Sequence, residues 1–225
     1  MIKNYIFDFD GTLADSSIGI YKAFSSTCIK NNLKPPEINA FKKHIGPPIY
    51  KLIYSIYPNI TDSQRNTFVK TFRSEYDNNF YKYVDWYEGV FEVINYLIEY
   101  KKLNLFIITN KPTLTCIKLL KQANLFNFFK IVIGIDYKIF NNETPSLNFE
   151  DKSNAFDYFF SKTKILKDES VYIGDTINDK KAADKCKLNF IAAKYGFYNW
   201  NLDVKNTLQI NSFRELKQIS QLSKW

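Results

Sequence analysis

The sequence predicts an α/β protein: a parallel sheet covered by helices, interrupted near its start by a helical insert. Three observations carry this. Short apolar runs of strand length recur along the chain, helix-period patterns separate them in the second half, and residues 15–84 read as helices broken by prolines. The first run, Asn4-Tyr5-Ile6-Phe7, predicts a strand leading straight into Asp8-Phe9-Asp10-Gly11-Thr12, a carboxylate pair and a glycine turn. Helical patterns follow over 18–30, 49–57 and 63–83, punctuated by Pro35-Pro36, Gly46-Pro47-Pro48 and Pro58. The Tyr and Phe residues of this insert are assigned to its own core rather than to a base-stacking platform. Runs at 103–109, 131–135, 171–174 and 190–193 then predict four more strands, with helical patterns at 113–123 and 153–162 among them. The expected division is a core of residues 1–14 and 85–225 and a cap of residues 15–84.

A chain of 225 residues with 45% hydrophobic content can bury a substantial core. Its apolar runs, such as 103–108, fall far short of the roughly 20 residues that span a membrane. The N-terminus reaches Asp8 before a signal-peptide core could form, so a cytoplasmic protein is expected. Cys28, Cys116 and Cys186 form no C-x-x-C pair, which suits reduced thiols. With His44 the single histidine, no zinc site is suggested. The formal charge of +8 is spread along the chain among Asn, Ile, Tyr and Phe. A general residue bias accounts for it more simply than a polyanion surface, although it would also attract an anionic substrate. Nucleic acid is therefore not the expected partner.

The chemistry concentrates at strand ends. Residues two apart on a strand share a side, so Asp8 and Asp10 are expected to converge at the carboxyl end of the first strand. One would serve as nucleophile and the other as acid and then base, with Gly11 letting the chain turn beside them. Thr109 and Asn110 end the next strand as hydroxyl and amide donors for a phosphoryl oxygen, or else cap the helix beginning near Pro112. In Gly174-Asp175-Thr176-Ile177-Asn178-Asp179, Asp175 is placed to join Asp8 and the Asp10 carbonyl as hard oxygen ligands suited to Mg²⁺. Asp179 either supports that set or is an ordinary helix-start acid. Lys152, before the 153–162 helical pattern, is the candidate ammonium, with Lys138, Lys162, Lys164 and Lys167 as competitors nearby.

Taken in order, Asp8-Phe9-Asp10-Gly11-Thr12-Leu13-Ala14-Asp15-Ser16, Thr109-Asn110, Lys152 and Gly174-Asp175-Thr176-Ile177-Asn178-Asp179 resemble the haloacid dehalogenase superfamily, and its phosphoglycolate-phosphatase-like branch most closely. Tyr87-Glu88-Gly89-Val90 looks like that family's return from cap to core, and Ser153 stands where many members have proline. The resemblance implies a Rossmann-like core with a closing helical cap, and a Mg²⁺-dependent phosphatase for a small phosphorylated metabolite, working as monomer or homodimer. It implies that Asp8 carries an aspartyl-phosphate and that Asp10 protonates the leaving group. It also gives Thr109, Asn110 and Lys152 to the phosphate, Asp8, Asp10 and Asp175 to the metal, and Gly11, Thr12 and Asp179 to support behind them. Lys43, His44 and Arg73 are the cap residues considered for contact with substrate.

Two other readings remain at this level. A phosphosugar mutase of the same fold would keep every core residue and return the phosphoryl group to the sugar. A non-catalytic polyanion-binding protein would use the positive charge, but intact Asp8, Asp10 and Asp175 argue against it.

Overall fold

The computed structural model describes residues 1–136, 151–200 and 207–220. Its centre is a six-stranded sheet built from β1 (Asn4–Phe7), β4 (Asn104–Ile108), β5 (Phe129–Ile133), β6 (Ser170–Gly174), β7 (Asn189–Ala193) and β8 (Leu208–Ile210). The order is β5-β4-β1-β6-β7-β8, with every pair parallel. Alternation along each strand feeds two cores. Tyr5, Phe7, Leu105, Ile107, Val171 and Ile173 pack on one face, and Ile6, Phe106, Ile108 and Tyr172 on the other. Burial on both faces is why these strands read as unbroken apolar runs.

On the first face lie α5 (Val90–Glu99), α6 (Thr113–Gln122) and the short α9 (Leu216–Ile219); on the second lie α7 (Lys152–Lys162) and α8 (Ile177–Lys185). Strand β1 sits between β4 and β6, so successive crossovers leave it in opposite directions and open a crevice at the carboxyl ends, where sheets of this kind bind ligands. The register pairs Phe7 with Ile107 and with Ile173, bringing Asp8, Thr109 and Asp175 to the same rim.

The chain leaves the sheet through β2 (Ala14–Asp15) and returns through β3 (Asp85–Trp86), which pair as a short antiparallel ribbon. Between them lie α1 (Ser17–Lys30), α2 (Ile38–Lys42), α3 (Ile49–Ile56) and α4 (Asp62–Glu75). These helices bury a separate aromatic cluster in which the Phe24 ring lies 4.7 Å from Phe41 and 5.0 Å from Phe68. The continuous pattern read over 63–83 splits in two. A capping box between Thr61 and Gln64 starts α4, and at Tyr76 the helix widens to a π-helical turn, Tyr76–Phe80.

Helices α2, α5, α8 and α9 and strand β8 extend the set predicted from sequence. Helix α5 buries Val90, Val93, Ile94 and Leu97 at helical spacing after Gly89, whereas α8 carries few apolar residues and β8 is three residues long. Lys138, one of the competing lysines, lies outside the described residues. Among the described residues, no helix is long and apolar enough to cross a membrane.

Candidate active site

Strand β1 ends at Phe7, and the Asp8 amide continues the ladder by donating to the Ile173 carbonyl at 2.9 Å. Sharing its side of the strand with Ile6, the Asp8 side chain faces the layer of α7. That helix is started by the Asp151 carboxylate, which accepts from the Ser153 and Asn154 amides at 2.8 and 3.2 Å. The cap fixes Lys152, the first helical residue, so that its buried ammonium lies 2.9 Å from Asp8 Oδ2 and also donates to Asp179 Oδ1. Burial pushes the Asp8 carboxyl up to about 6; Lys152 draws it back down and Asp179 raises it further. For Lys152, burial alone would lower the pKa, but Asp179 and Asp8 together hold it well above the ordinary lysine range.

Asp175 follows β6 and is fully buried, accepting from the Phe197 amide at 2.8 Å, with Thr12 Oγ1 at 3.5 Å. Asp179 closes a capping box on α8, accepting from the Thr176 amide at 2.9 Å and its hydroxyl at 2.6 Å, while Tyr172 donates at 3.0 Å. Asp179 thus begins a helix and also faces the carboxylate cluster. One oxygen each of Asp8, Asp175 and Asp179 lie within 4.8 Å of one another. Burial, then Asp179 and Asp8, raises the Asp175 carboxyl well above its usual range. Three buried carboxylates facing one ammonium make a hard-oxygen set with excess negative charge, which fits a divalent cation such as Mg²⁺. The Asp10 side chain contributes no oxygen to this cluster.

Close backbone approach makes the cluster possible. Gly11 has φ +81°, and a Cβ there would lie 2.1 Å from Asp175 Oδ2. At Gly196 a Cβ would lie 2.2 Å from the Asp175 Cβ and 2.4 Å from the Gly11 carbonyl oxygen. The neighbouring Tyr195 hydroxyl donates to the Thr12 carbonyl at 2.8 Å, tying this turn to the loop after β1.

Asp10 requires a correction to the strand-parity argument. Because β1 ends at Phe7, two-residue alternation does not position Asp10; the loop does. The Asp10 carboxylate accepts from Ser16 Oγ at 2.6 Å and from the Lys111 ammonium at 2.8 Å, and Lys111 also donates to the Tyr76 hydroxyl at 2.7 Å. Burial would lower the Lys111 pKa, but Asp10 and then Tyr76 keep it well above the lysine range. Lys111, Tyr76 and Gly196 are absent from the residues singled out by sequence, and Ser16 stands there only as the end of the first motif, with no role of its own. For Lys111 the available signal was its place directly after Thr109-Asn110 at a strand end.

Asp8, Asp10, Thr109, Asn110 and Lys111 line a cavity of about 60 Å³, whose other wall is Ile49, Leu52, Phe72, Arg73 and Tyr76 of the insert. The Thr109 hydroxyl accepts from the Lys111 amide at 3.2 Å, and Asn110 donates from its side chain to the Gly46 carbonyl at 3.0 Å, linking core to insert. Neither caps α6, whose Thr113 amide is taken by Asp136 Oδ1 at 2.8 Å. Of the three cap residues considered, Arg73 lines the cavity and the other two do not. Phe41 turns the inner side of α2 into the insert core, leaving Lys43 exposed, while His44 pairs with Ser55 Oγ at 3.0 Å.

Residues 5–193 match the family of haloacid dehalogenase-like hydrolases. The chain is similar to phosphoglycolate phosphatase of Chromobacterium violaceum, at 27% identity over 96% of this chain and 95% of that protein. It is also similar to pyrophosphatase PpaX of Listeria welshimeri, at 27% identity over 80% of this chain and 78% of that one. The fold superimposes on the crystal structure of a predicted phosphatase from Clostridium acetobutylicum with a TM-score of 0.84 and 24% identity, covering 99% of this chain and all of the other.

Proposed function

The chain belongs to the haloacid dehalogenase-like hydrolase family, and from that premise we propose that it is a Mg²⁺-dependent phosphatase acting on a small phosphate ester or anhydride through a phosphoryl group carried by Asp8. The observation that carries this reading is the Lys152 ammonium bridging Asp8 and Asp179 beside buried Asp175, at the carboxyl ends of β1 and β6. Relatives named phosphoglycolate phosphatase and pyrophosphatase support it.

In this reading an Asp8 carboxylate oxygen attacks phosphorus in line, and the bond to the leaving oxygen breaks as Asp10 gives that oxygen its proton. Water then attacks the acyl phosphate, Asp10 takes the water's proton, and inorganic phosphate leaves with Asp8 restored. Lys152, Thr109 and the Asn110 amide position the phosphoryl oxygens and balance their charge. Asp8, Asp175 and the Asp10 carbonyl would hold Mg²⁺, with Asp179, Thr12 and Gly11 behind them, and the bound ion would supply further charge neutralisation. Residues 15–84 act as the cap that excludes water, over a core of residues 1–14 and 85–225. A cytoplasmic location suits the three buried free cysteines.

The test is phosphate release from phosphoglycolate, pyrophosphate, sugar phosphates and nucleotides, with and without Mg²⁺, by the wild type and Asp8→Asn. Metal-dependent turnover lost in Asp8→Asn is the expected result. Equal turnover in the variant would remove Asp8 as nucleophile. Phosphoryl return to a sugar without phosphate release would make the protein a mutase, and no turnover together with salt-sensitive nucleic-acid binding would make it a polyanion-binding protein.

A further inference from the structure

We infer that Phe197 is a positioning residue that couples the seat of the helical insert to Asp175, so that Mg²⁺ affinity depends on whether the insert rests against the core. The inference deepens the Mg²⁺ part of the phosphatase reading and rests on it. Its first ground is that one residue reaches both ends. The Phe197 amide donates to Asp175 Oδ2 at 2.8 Å. The Phe197 side chain packs against the aromatic cluster of the insert, whose other described members all lie between residues 20 and 81. A residue of the core thus completes the insert's hydrophobic cluster while its backbone holds a buried carboxylate of the metal set. Carboxylates that ligate metals are oriented by hydrogen bonds of this kind.

The second ground is the lack of slack around Asp175. At Gly196, directly before Phe197, a Cβ would lie 2.2 Å from the Asp175 Cβ, so the backbone of this loop already touches the Asp175 side chain. Close-packed groups have no room to slide past one another. A shift of the loop therefore moves the carboxylate or breaks its bond to the Phe197 amide.

The third ground is where the loop is anchored. Two residues before Phe197, the Tyr195 hydroxyl donates to the Thr12 carbonyl at 2.8 Å, and its ring meets that of Tyr87 edge-on at 4.8 Å. Tyr87 donates its amide to the Leu13 carbonyl at 3.1 Å, beside the β2–β3 ribbon. The loop is held by the core at Tyr195 and by the insert at Phe197, with Asp175 bonded to it. Asn110 and Lys111 also cross from core to insert, but their bonds end on the Gly46 carbonyl, Tyr76 and Asp10. Phe197 is the crossing that ends on Asp175. By reciprocity, an ion that binds better when the insert is seated favours the seated insert by the same factor.

The experiment measures Mg²⁺ binding by titration calorimetry, with the metal alone as probe. The proteins are the wild type, Phe197→Ala, Phe197→Leu, Thr115→Val and the double variant Phe197→Ala with Thr115→Val. Thr115 lies on α6, and its hydroxyl donates to Asp77 Oδ1 of the insert at 2.7 Å, so its replacement loosens the insert without touching the carboxylate cluster. Phe197→Ala should weaken Mg²⁺ binding about 10-fold, the lower end of the range for groups that orient metal ligands, and Phe197→Leu should stay within about 3-fold of the wild type. Thr115→Val should weaken binding about 3-fold in the wild-type background and less than about 1.5-fold beside Phe197→Ala, since coupled residues are not additive. Wild-type affinity in Phe197→Ala overturns the inference, and so do losses that multiply in the double variant. Wild-type affinity in Thr115→Val, where the loop is intact, overturns it even if Phe197→Ala does not fold. A wild type that binds no Mg²⁺ defeats the metal reading and the inference with it. A wild type that binds Mg²⁺ and releases phosphate, beside a Phe197→Ala protein of equal affinity, defeats the coupling alone.

Discussion

The Lys111 ammonium stands 2.8 Å from Asp10 Oδ1 and 2.7 Å from the Tyr76 hydroxyl, so a residue of the core holds a carboxylate of the β1 loop and a phenol of the helical insert at once. Removing the ammonium leaves Asp10, whose side chain is 18% exposed, without its charge partner. Lys111→Met is expected to destabilise the protein by about 3 kcal/mol and to lower kcat by at least about 100-fold. Tyr76→Phe deletes one hydrogen bond, and about 1 kcal/mol is expected. Urea unfolding and steady-state kinetics on both variants measure this; a Lys111→Met protein with wild-type kcat would show that Asp10 needs no such positioning.

Asp8 sets a pH dependence in the metal-free protein. Its folded-state value of about 6 lies above the ordinary 3.8 because burial outweighs Lys152. The folded protein therefore binds that proton more tightly than the unfolded chain does. The corresponding stability is complete below about pH 4 and is lost as pH rises through about 6, amounting to up to about 3 kcal/mol. In chelator, Asp8→Asn should be more stable than the wild type at pH 7, with the gap closing towards pH 4. Mg²⁺ should raise the wild-type Tm more at pH 7 than at pH 5, since protons compete for the same oxygens. Thermal melts across this range decide it, and a gap that does not vary with pH counts against the assignment.

Gly196 is expected to tolerate no side chain. A Cβ 2.2 Å from the Asp175 Cβ and 2.4 Å from the Gly11 carbonyl oxygen must displace one or both. Gly196→Ala should weaken Mg²⁺ activation by about 10-fold or more, in the range for disturbing the groups that orient metal ligands. It should also destabilise the fold by about 1–3 kcal/mol. A Mg²⁺ titration of activity identical to that of the wild type would refute this.

Glu75 joins α1 to α4 inside the insert. Its hydrogen bonds to Lys30 and to Ser26 Oγ, the latter at 2.7 Å, hold its carboxyl below the ordinary range. A depressed folded-state value gives stability that is present above about pH 4.5 and lost as pH falls. Because Lys30 is 54% exposed and solvent-screened, Glu75→Gln should lose only about 1 kcal/mol at pH 7. The difference from wild type should shrink in acid, as read by urea unfolding at pH 7 and pH 3.5.

What the sequence alone determined lies in contiguous residues. The strand Asn4–Phe7 ending at Asp8, the strand ends at Thr109 and Asp175, and the helical character of 18–30 and 49–57 are local patterns of apolar period and turn chemistry. Asp8, Asp175 and Asp179 could be singled out for the same reason, since each sits within a few residues of a strand end. Tertiary structure decided which other side chains meet them. Lys111 meets Tyr76 across 35 positions, Tyr195 meets Thr12 across 183, and Gly196 touches Gly11, because parallel crossovers bring distant loops to one rim of the sheet. It also chose among Lys43, His44 and Arg73, which look alike as basic residues of the insert. Only the packing of α2 and α4 around Phe41 and Phe72 determines that Arg73 borders the cavity while Lys43 points to solvent, and one-dimensional spacing carries no record of that.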